Sequence, residues 1–277
     1  MTARRIPVDW HTHIWLPEHF GGKTSTPAGS DVTRGSPERA REAMKDVERY
    51  VVVGLQTPWL HIPNDFIAEQ VKSSKGRAIG FACVDPKAED APREMERAIV
   101  ELGLHGLKLS PTYQGFDPRD KSAWRLYEIA DRLNIPLMWH VGGGAAVTST
   151  LENGNPLLLD PVARAFPNLR MIVAHFGQPH MEETVMLVRK NKNVFTDLSA
   201  RFHRPWQLYN GLAVAKEYGI LHKILFGSDY PNRSPVEALE LFRRLSKMTE
   251  GTNLPHITPE DIDSIVYDRP LSLLGFD

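Results

Sequence analysis

Short apolar runs alternate along this chain with longer segments in which apolar residues recur every three or four positions. The runs are typical of β-strands that are buried on both faces, and the longer segments indicate amphipathic helices. The pattern predicts strands at residues 6–12, 51–55, 78–84, 106–110, 136–141, 170–174, 194–198 and 224–226. It predicts helices at residues 36–50, 64–75, 91–102, 120–133, 160–166, 181–190, 206–218 and 234–247, and a last helix from residue 258.

Eight strands separated by helices predict a parallel sheet, and that number favours a closed (β/α)8 TIM barrel within the α/β class. A doubly wound sheet that binds a dinucleotide is disfavoured, because no G-x-G-x-x-G follows the first strand. We expect a single domain spanning residues 1–277. Residues 16–35 are rich in Gly, Pro, Ser and Thr, so we predict an active-site loop at about residues 14–35.

Composition narrows the class of protein further. Apolar residues make up 42% of the chain and charged residues 24%, and the formal net charge is −1. These values fit a soluble globular protein and give no electrostatic reason to expect nucleic acid or membrane as a partner. The one cysteine, Cys83, stands in an apolar run and predicts a small buried side chain. With no disulfide possible within the chain, no signal peptide and no long apolar segment, we expect a cytoplasmic protein.

Titratable residues stand where the predicted strands end. Asp9, His11 and His13 alternate along the first strand, and simple alternation would place all three side chains on one face. Two imidazoles spaced in this way can bind one metal ion. The further candidates at strand ends are Lys108, His140, His175 and Asp229. Because the strand ends of a barrel meet at one rim, we expect these groups to converge.

The order of these fragments is distinctive. The segments that matter are Asp9-x-His11-x-His13, the strand-four segment Gly106 to Pro111, His140, Ala174-His175-Phe176-Gly177 and Gly227-Ser228-Asp229-Tyr230-Pro231. Together they resemble the amidohydrolase superfamily, in the amidohydrolase-related branch that includes aminocarboxymuconate semialdehyde decarboxylase. The resemblance extends over nearly the whole chain.

This resemblance implies one divalent metal ion, with zinc expected first and manganese as the alternative, held by His11, His13, His140 and Asp229. It also implies that His175 is a general acid/base and that Asp229 shares the role of base. Nitrogen and oxygen ligands with an open position suit a catalytic metal. Asp9 is either a partner that orients an imidazole or a buried carboxylate bonded to the backbone.

The remaining candidates concern the substrate. Three roles are open for Lys108. It binds a substrate carboxylate, it pairs with a neighbouring acid, or, as in two-metal amidohydrolases, it is carboxylated and bridges two ions, with His140 and His175 on the second ion. Arg201 follows strand seven and is a candidate for binding a carboxylate. Trp15 begins the long loop and is a candidate for covering the substrate.

The predicted function is metal-dependent hydrolysis, with a metal-activated water attacking an ester, lactone or amide bond of a small, carboxylated, ring-derived substrate. The alternative is metal-dependent non-oxidative decarboxylation of a similar aromatic or muconate-type acid. A barrel that binds a ligand without catalysis remains a third hypothesis. We expect a small molecule as substrate, neither nucleic acid nor membrane as partner, and a homodimer.

Overall fold

Eight parallel strands form one sheet in chain order in a computed structural model, which describes residues 4–276. The strands are β1 (Ile6–Thr12), β2 (Val47–Val53), β3 (Ala78–Cys83), β4 (Gly106–Leu109), β5 (Leu137–Trp139), β6 (Met171–Val173), β7 (Val194–Asp197) and β8 (Ile224–Leu225). The backbone N–H of Trp10 donates to the carbonyl of Phe226, and the N–H of Asp229 donates to the carbonyl of His11. These bonds join the first strand to the segment after the last one. The predicted barrel fold is confirmed.

Helices connect the strands and cover the outside of the sheet. They are α1 (Pro37–Ala43), α2 (Asn64–Ser73), α3 (Ala91–Glu96), α4 (Pro111–Gln114), α5 (Lys121–Arg132), α6 (Asp160–Ala165), α7 (Met181–Lys190), α8 (Pro205–Glu217), α9 (Pro235–Arg244) and α10 (Pro259–Tyr267). The start of α9 shows why helices begin where they do, because Ser234 and Glu237 form a reciprocal capping box. Within residues 4–276, none of the helices is long and apolar enough to cross a membrane.

The predicted helix at residues 36–50 is wrong over its second half. Helix α1 ends at Ala43, and β2 already begins at Val47, four residues before the predicted start of the strand. Glu, Arg, Ala and Met favour helix up to this point, which explains the prediction. Val47 and Tyr50, however, are buried against the sheet, and Val47 pairs with Ile6. Tertiary packing of these two side chains therefore overrides local helix propensity.

Strand β1 contains a bulge that changes which side chains share a face. Asp9 pairs with Tyr50 of β2 and Thr12 pairs with Val52, so three steps along β1 match two steps along β2. Simple alternation does not continue through such an irregularity. The alternation from which the sequence placed Asp9 on the same face as His11 and His13 therefore does not hold through this part of β1.

The Asp9 carboxylate bonds to backbone. Its Oδ1 accepts hydrogen bonds from the backbone N–H groups of His11 and Ser228. Burial raises the pKa of this carboxyl to about 7. Of the two roles considered for Asp9, the structure has the buried, backbone-bonded carboxylate, which ties β1 to the segment after β8.

The core has two layers. Inside the barrel, Val8, Trp10, Val53 and Phe81 belong to a cluster that includes the C-terminal Phe276, whose ring lies 6.1 Å from that of Phe81. The larger cluster lies between the sheet and the helices. Cys83 is buried as predicted, and burial raises the pKa of its thiol. This packing leaves the C-terminal ends of the strands as the open end of the barrel.

The long segment after β1 contains more regular secondary structure than the predicted loop. It contains two short 3-10 turns, Pro17–Phe20 and Val32–Gly35. The indole N–H of Trp15 donates to the carbonyl of Val32 at 2.6 Å, and Gly35 packs directly against the indole ring, where a Cβ would lie 2.5 Å from it. Glycine is thus required at residue 35 for the segment to lie close to the barrel.

Candidate active site

Three hydrogen-bond acceptors face one another at the open end of the barrel. The Nε2 atoms of His11 and His13 are 3.3 Å apart. Asp229 Oδ1, which follows β8, lies 3.7 Å from His11 Nε2 and 3.5 Å from His13 Nε2. Nitrogen ligands about 2.0–2.1 Å from a tetrahedral ion lie roughly 3.4 Å apart. The three atoms therefore have the spacing of ligands that share one metal ion.

Hydrogen bonds on the far side of both rings fix their tautomers. His13 Nδ1 donates to the carbonyl of Val53 at 2.7 Å, and His11 Nδ1 donates to the carboxylate of Asp197 at 2.9 Å. A carbonyl and a carboxylate can only accept, so the proton of each neutral imidazole is on Nδ1. Each Nε2 consequently presents a lone pair to the other ring and to Asp229, as metal-binding histidines do.

Three acceptors at this distance need a cation between them. Within residues 4–276, the donor beside them is the ammonium group of Lys108, whose Nζ lies 3.4 Å from His11 Nε2. Burial lowers the pKa of Lys108 to about 8. Because one lone pair cannot serve both groups, binding of a metal ion requires Lys108 to turn away or to lose its proton. The donor set fits a divalent ion.

His140 and His175 form a second pair of rings beside this group. His140 Nε2 lies 3.2 Å from the carbonyl of Gly143, and His140 Nδ1 lies 3.0 Å from His175 Nε2. His175 Nδ1 in turn lies 2.7 Å from the hydroxyl of Ser199. Burial lowers the pKa of His140 to about 3 and that of His175 well below its ordinary value. Both imidazoles are therefore neutral.

The predicted metal ligands lie close together at the open end of the barrel. Which residue is the fourth ligand remains a prediction. Ligand atoms of His11, His175 and Asp229 all lie within 4.8 Å of one another. His140, the predicted fourth ligand, has both ring nitrogens engaged, so it reaches an ion only if its bond to His175 opens. His175, the predicted acid/base, lies next to the ligands, as that role requires.

Asp197 is a candidate site residue that was not predicted from the sequence. It ends β7, is fully buried, and accepts from His11 Nδ1, from the backbone N–H of His175 at 3.1 Å and from that of Ser199 at 2.9 Å. Burial alone would raise the pKa of Asp197, but the neighbouring His11, His175 and Ser199 outweigh burial and hold the pKa below its ordinary value. Like the predicted site residues, Asp197 is a titratable residue at the end of an apolar strand.

The backbone at these strand ends adopts conformations that non-glycine residues rarely take. His175, Ala200 and Asp229 have φ angles of +58°, +57° and +60°. Such conformations cost of the order of 1–3 kcal/mol each and cluster at functional sites. Asp229 also accepts from the amide of Asn232 at 2.5 Å. Burial by itself raises the pKa of Asp229, but the adjacent histidines outweigh it and hold the pKa well below the ordinary value.

A cavity of about 570 Å³ opens above these groups, within the size range of small-molecule sites. His13, His140, His175, Lys108 and Asp229 line its floor. Its walls carry aromatic rings from three different segments, Trp15, Trp59 and Tyr113. Trp59 comes from a short hairpin, Gln56–Thr57 with Leu60–His61, which the sequence analysis did not predict.

The predicted substrate-binding residues Lys108, Arg201 and Trp15 all line this cavity. Arg201 is 5% exposed, and its Nε and Nη1 atoms have no hydrogen-bond partner within residues 4–276. Trp15 is held by its bond to Val32 and presents little of its ring. Their roles toward a substrate remain predictions.

The chain is similar to known proteins over most of its length. A family model described as amidohydrolase matches residues 8–276. A gamma-resorcylate decarboxylase from Polaromonas sp. (strain JS666 / ATCC BAA-500) is 24% identical over 235 residues, which cover 66% of this chain and 69% of the relative. The superfamily predicted from the strand-end motifs is confirmed.

Two solved structures illustrate the likeness of fold. A probable 2-pyrone-4,6-dicarboxylic acid hydrolase from Acinetobacter baumannii, with citric acid bound, has a TM-score of 0.70 and 16% identity, with coverage of 98% of this chain and 99% of the other. A dihydroxybenzoic acid decarboxylase from Polaromonas sp. JS666, with bound manganese and 2-nitroresorcinol, has a TM-score of 0.64 and 18% identity, with coverage of 98% and 100%. At these identities the likeness concerns the fold and not the reaction.

Proposed function

This chain belongs to the amidohydrolase family, and from that premise we propose that it is a metal-dependent hydrolase. Its substrate would be a small, carboxylated, ring-derived compound with an ester, lactone or amide bond. The names of similar proteins support this class of substrate, since they include a hydrolase and decarboxylases of carboxylated ring compounds.

The observation that carries the proposal is the meeting of three acceptors. His11 Nε2, His13 Nε2 and Asp229 Oδ1 face one another at 3.3–3.7 Å, with both imidazole protons directed away from the shared space. The Lys108 ammonium group contacts only one of these acceptors, His11 Nε2, whereas a divalent ion between them would satisfy all three. A divalent ion held there, zinc or manganese, would supply Lewis acidity and lower the pKa of a coordinated water.

The other residues divide the remaining tasks. His175 lies beside the ligands, with Nδ1 facing Ser199 and Nε2 facing His140. With its proton on Nδ1, its Nε2 would receive a proton once the contact with His140 opens, and would return that proton to the leaving group. Arg201 provides unpaired N–H groups for a carboxylate. The aromatic walls offer flat faces to a ring and limit the entry of bulk water.

Decarboxylation is the second candidate, and the relationship to the gamma-resorcylate decarboxylase favours it. The same metal ligands and the same acid could serve there, with His175 protonating the ring carbon that loses its carboxylate. The two reactions differ in whether water enters the product.

Turnover in H₂¹⁸O separates the candidates. Candidate lactones, esters and hydroxylated aromatic acids are incubated with zinc- or manganese-loaded protein, and the products are examined by mass spectrometry. Hydrolysis predicts one ¹⁸O atom in the product of each turnover. Release of carbon dioxide without ¹⁸O in the organic product would refute hydrolysis in favour of decarboxylation.

Variants test the role of His175. The His175→Ala protein should retain its metal and lose about 10²–10⁴-fold in turnover, as expected for the loss of a general acid/base. His222→Ala, an exposed histidine at which Nδ1 bonds to Gly219, is the matched control and should behave as wild type. If His175→Ala loses the metal instead, His175 is a ligand and the predicted ligand set is wrong.

A further inference from the structure

An apolar surface lies on the outside of the barrel at helix α7. We call it the α7 face, and its residues are Leu157, Glu182, Met186, Arg189 and Trp206, none of which lines the cavity above the strand ends. Trp206, Leu157 and Met186 are 62%, 45% and 43% exposed. They border two neighbouring hollows of about 710 and 670 Å³, and Leu157 and Met186 border both. Single exposed apolar side chains are common, but a contiguous group of them often marks a place where another molecule binds.

Helix α7 contributes a row of three exposed residues to this face, Glu182, Met186 and Arg189. They are four and three residues apart, so they lie on one side of the helix. The acid is in the first turn of the helix and the base is in the last turn. This order of charges also suits the helix dipole, but the dipole gives no reason for an exposed methionine between them. The row is complementary in charge to a second copy of itself that runs in the opposite direction.

The two charges of this row have no salt-bridge partner in the part of the chain that the structure describes. The adjacent Glu183 and Lys190 each form a salt bridge, whereas Glu182 and Arg189 form none. The Arg189 guanidinium lies 4.9 Å from the ring centre of Tyr218, a contact that leaves its N–H groups open to an acceptor. Both charges are therefore available to a molecule that binds at the α7 face.

A two-fold axis beside Met186 would make the α7 face its own partner. In a two-fold dimer the same surface is used by both subunits, so a residue that contacts a second residue is matched by the reverse contact. Glu182 lies about 6 Å before Met186 along the helix axis, and Arg189 lies about 4.5 Å after it. Two antiparallel copies of α7 would therefore place each Glu182 opposite Arg189 of the partner subunit.

We propose that the partner of the α7 face is a second copy of this chain, and that the homodimer expected from the sequence forms there with the two α7 helices antiparallel. Glu182 of each subunit pairs with Arg189 of the other, and Leu157, Met186 and Trp206 of both subunits are buried between them. The apolar side chains contribute most of the stability, and the exposed charge pairs set the orientation. This proposal does not rest on the proposed function, because it concerns a surface outside the cavity.

Sedimentation velocity of the full chain at a series of protein concentrations tests the proposal. We expect the wild-type protein to sediment as two chains at micromolar concentration. Met186→Arg should raise the dissociation constant of the dimer by roughly 100-fold or more, because it places two guanidinium groups side by side at the axis. Val100→Arg, at a valine that is 69% exposed in the helical segment after α3, is the matched control and should remain dimeric.

Exchange of the two charges tests the antiparallel pairing itself. Glu182→Arg and Arg189→Glu should each weaken the dimer by about 10-fold, since each creates two contacts between like charges per dimer. The double variant restores both pairs with reversed polarity and should recover most of the wild-type affinity. Both changes oppose the helix dipole, so an effect through the stability of α7 alone would add up in the double variant and not cancel. Urea unfolding of each variant measures that stability separately.

Three results would overturn the proposal. A wild-type protein that is monomeric at every concentration would leave the α7 face to a different protein. A dimer that Met186→Arg does not weaken would show that the subunits meet elsewhere. A double charge variant that is weaker than either single variant would exclude the pairing of Glu182 with Arg189. Dimerisation with the expected pattern supports the proposal whichever reaction the protein catalyses, so the failure of this proposal and that of the proposed function are distinguishable.

Discussion

Replacement of Asp197 by asparagine tests how the site prepares His11 for a metal ion. One oxygen of Asp197 accepts from His11 Nδ1 at 2.9 Å, and the other accepts from the backbone N–H groups of His175 and Ser199 at 3.1 and 2.9 Å. An asparagine amide has one accepting end and one donating end. If the asparagine NH₂ faces the backbone N–H groups of His175 and Ser199, two N–H donors point at a third donor. If the NH₂ faces His11, only the Nδ1–H of His11 points at a donor.

The asparagine should therefore direct its NH₂ towards His11. The imidazole then avoids a clash of two donors by moving its proton from Nδ1 to Nε2, which places a proton where the lone pair faced the ion. Loss of such a partner of a metal-binding histidine typically costs 10–100-fold in metal affinity, which is about 1.4–2.7 kcal/mol. The free energy of unfolding of the metal-free protein should fall by about 1–3 kcal/mol, because the buried network loses an acceptor.

The assay is competition for zinc against a chromophoric chelator, with urea unfolding of the metal-free protein measured in parallel. Asp117→Asn, at a carboxylate that pairs with Arg119 away from the site, is the control and should keep wild-type zinc affinity. Unchanged zinc affinity in Asp197→Asn, in a protein that still folds, would refute the argument from the tautomer of His11.

Three further predictions follow from the packing and the ligand geometry. His13→Ala should lower zinc affinity at least as much as Asp197→Asn, since it removes a ligand; retention of wild-type affinity in the same competition assay would exclude His13 from the site. Gly106→Ala should destabilise the fold by about 1–3 kcal/mol in urea unfolding, because the new Cβ would lie 2.7 Å from the ring of Phe81. An unaltered midpoint would show that the ring can move. Ser234→Ala should cost about 1 kcal/mol by removing the cap of α9, whereas Ser246→Ala should cost less; equal effects would contradict the role of the capping box.

The fold could be predicted because nearly every barrel strand is a short apolar run followed by a helix. The count and order of strands depend on this repeated pattern and not on any one boundary. The predicted ends of helices and strands are wrong where local propensity and tertiary packing disagree. Val47 is an example, because it follows a segment of strong helix formers but pairs with Ile6 in the sheet. The sequence also gives no sign of the bulge in β1, because Asp9, His11 and His13 occupy every second position, as they would in a regular strand.

The site could be predicted in part for a similar reason. His11, His13, His140, His175 and Asp229 stand out because a polar residue interrupts or ends an apolar strand. Asp197 meets the same criterion and was missed because strand β7 continued in the prediction to residue 198. The tautomers of the histidines and the unpaired guanidinium of Arg201 depend on segments far apart in the chain, so only the three-dimensional structure shows them.

X-ray absorption at the zinc edge, on protein reconstituted with one equivalent of zinc, tests the central claim most directly. We expect a bound ion with at least two imidazole nitrogens at about 2.0–2.1 Å and a carboxylate oxygen at a similar distance. An ion surrounded only by oxygen ligands, or zinc that remains free in solution, would contradict the claim that His11, His13 and Asp229 share one metal ion.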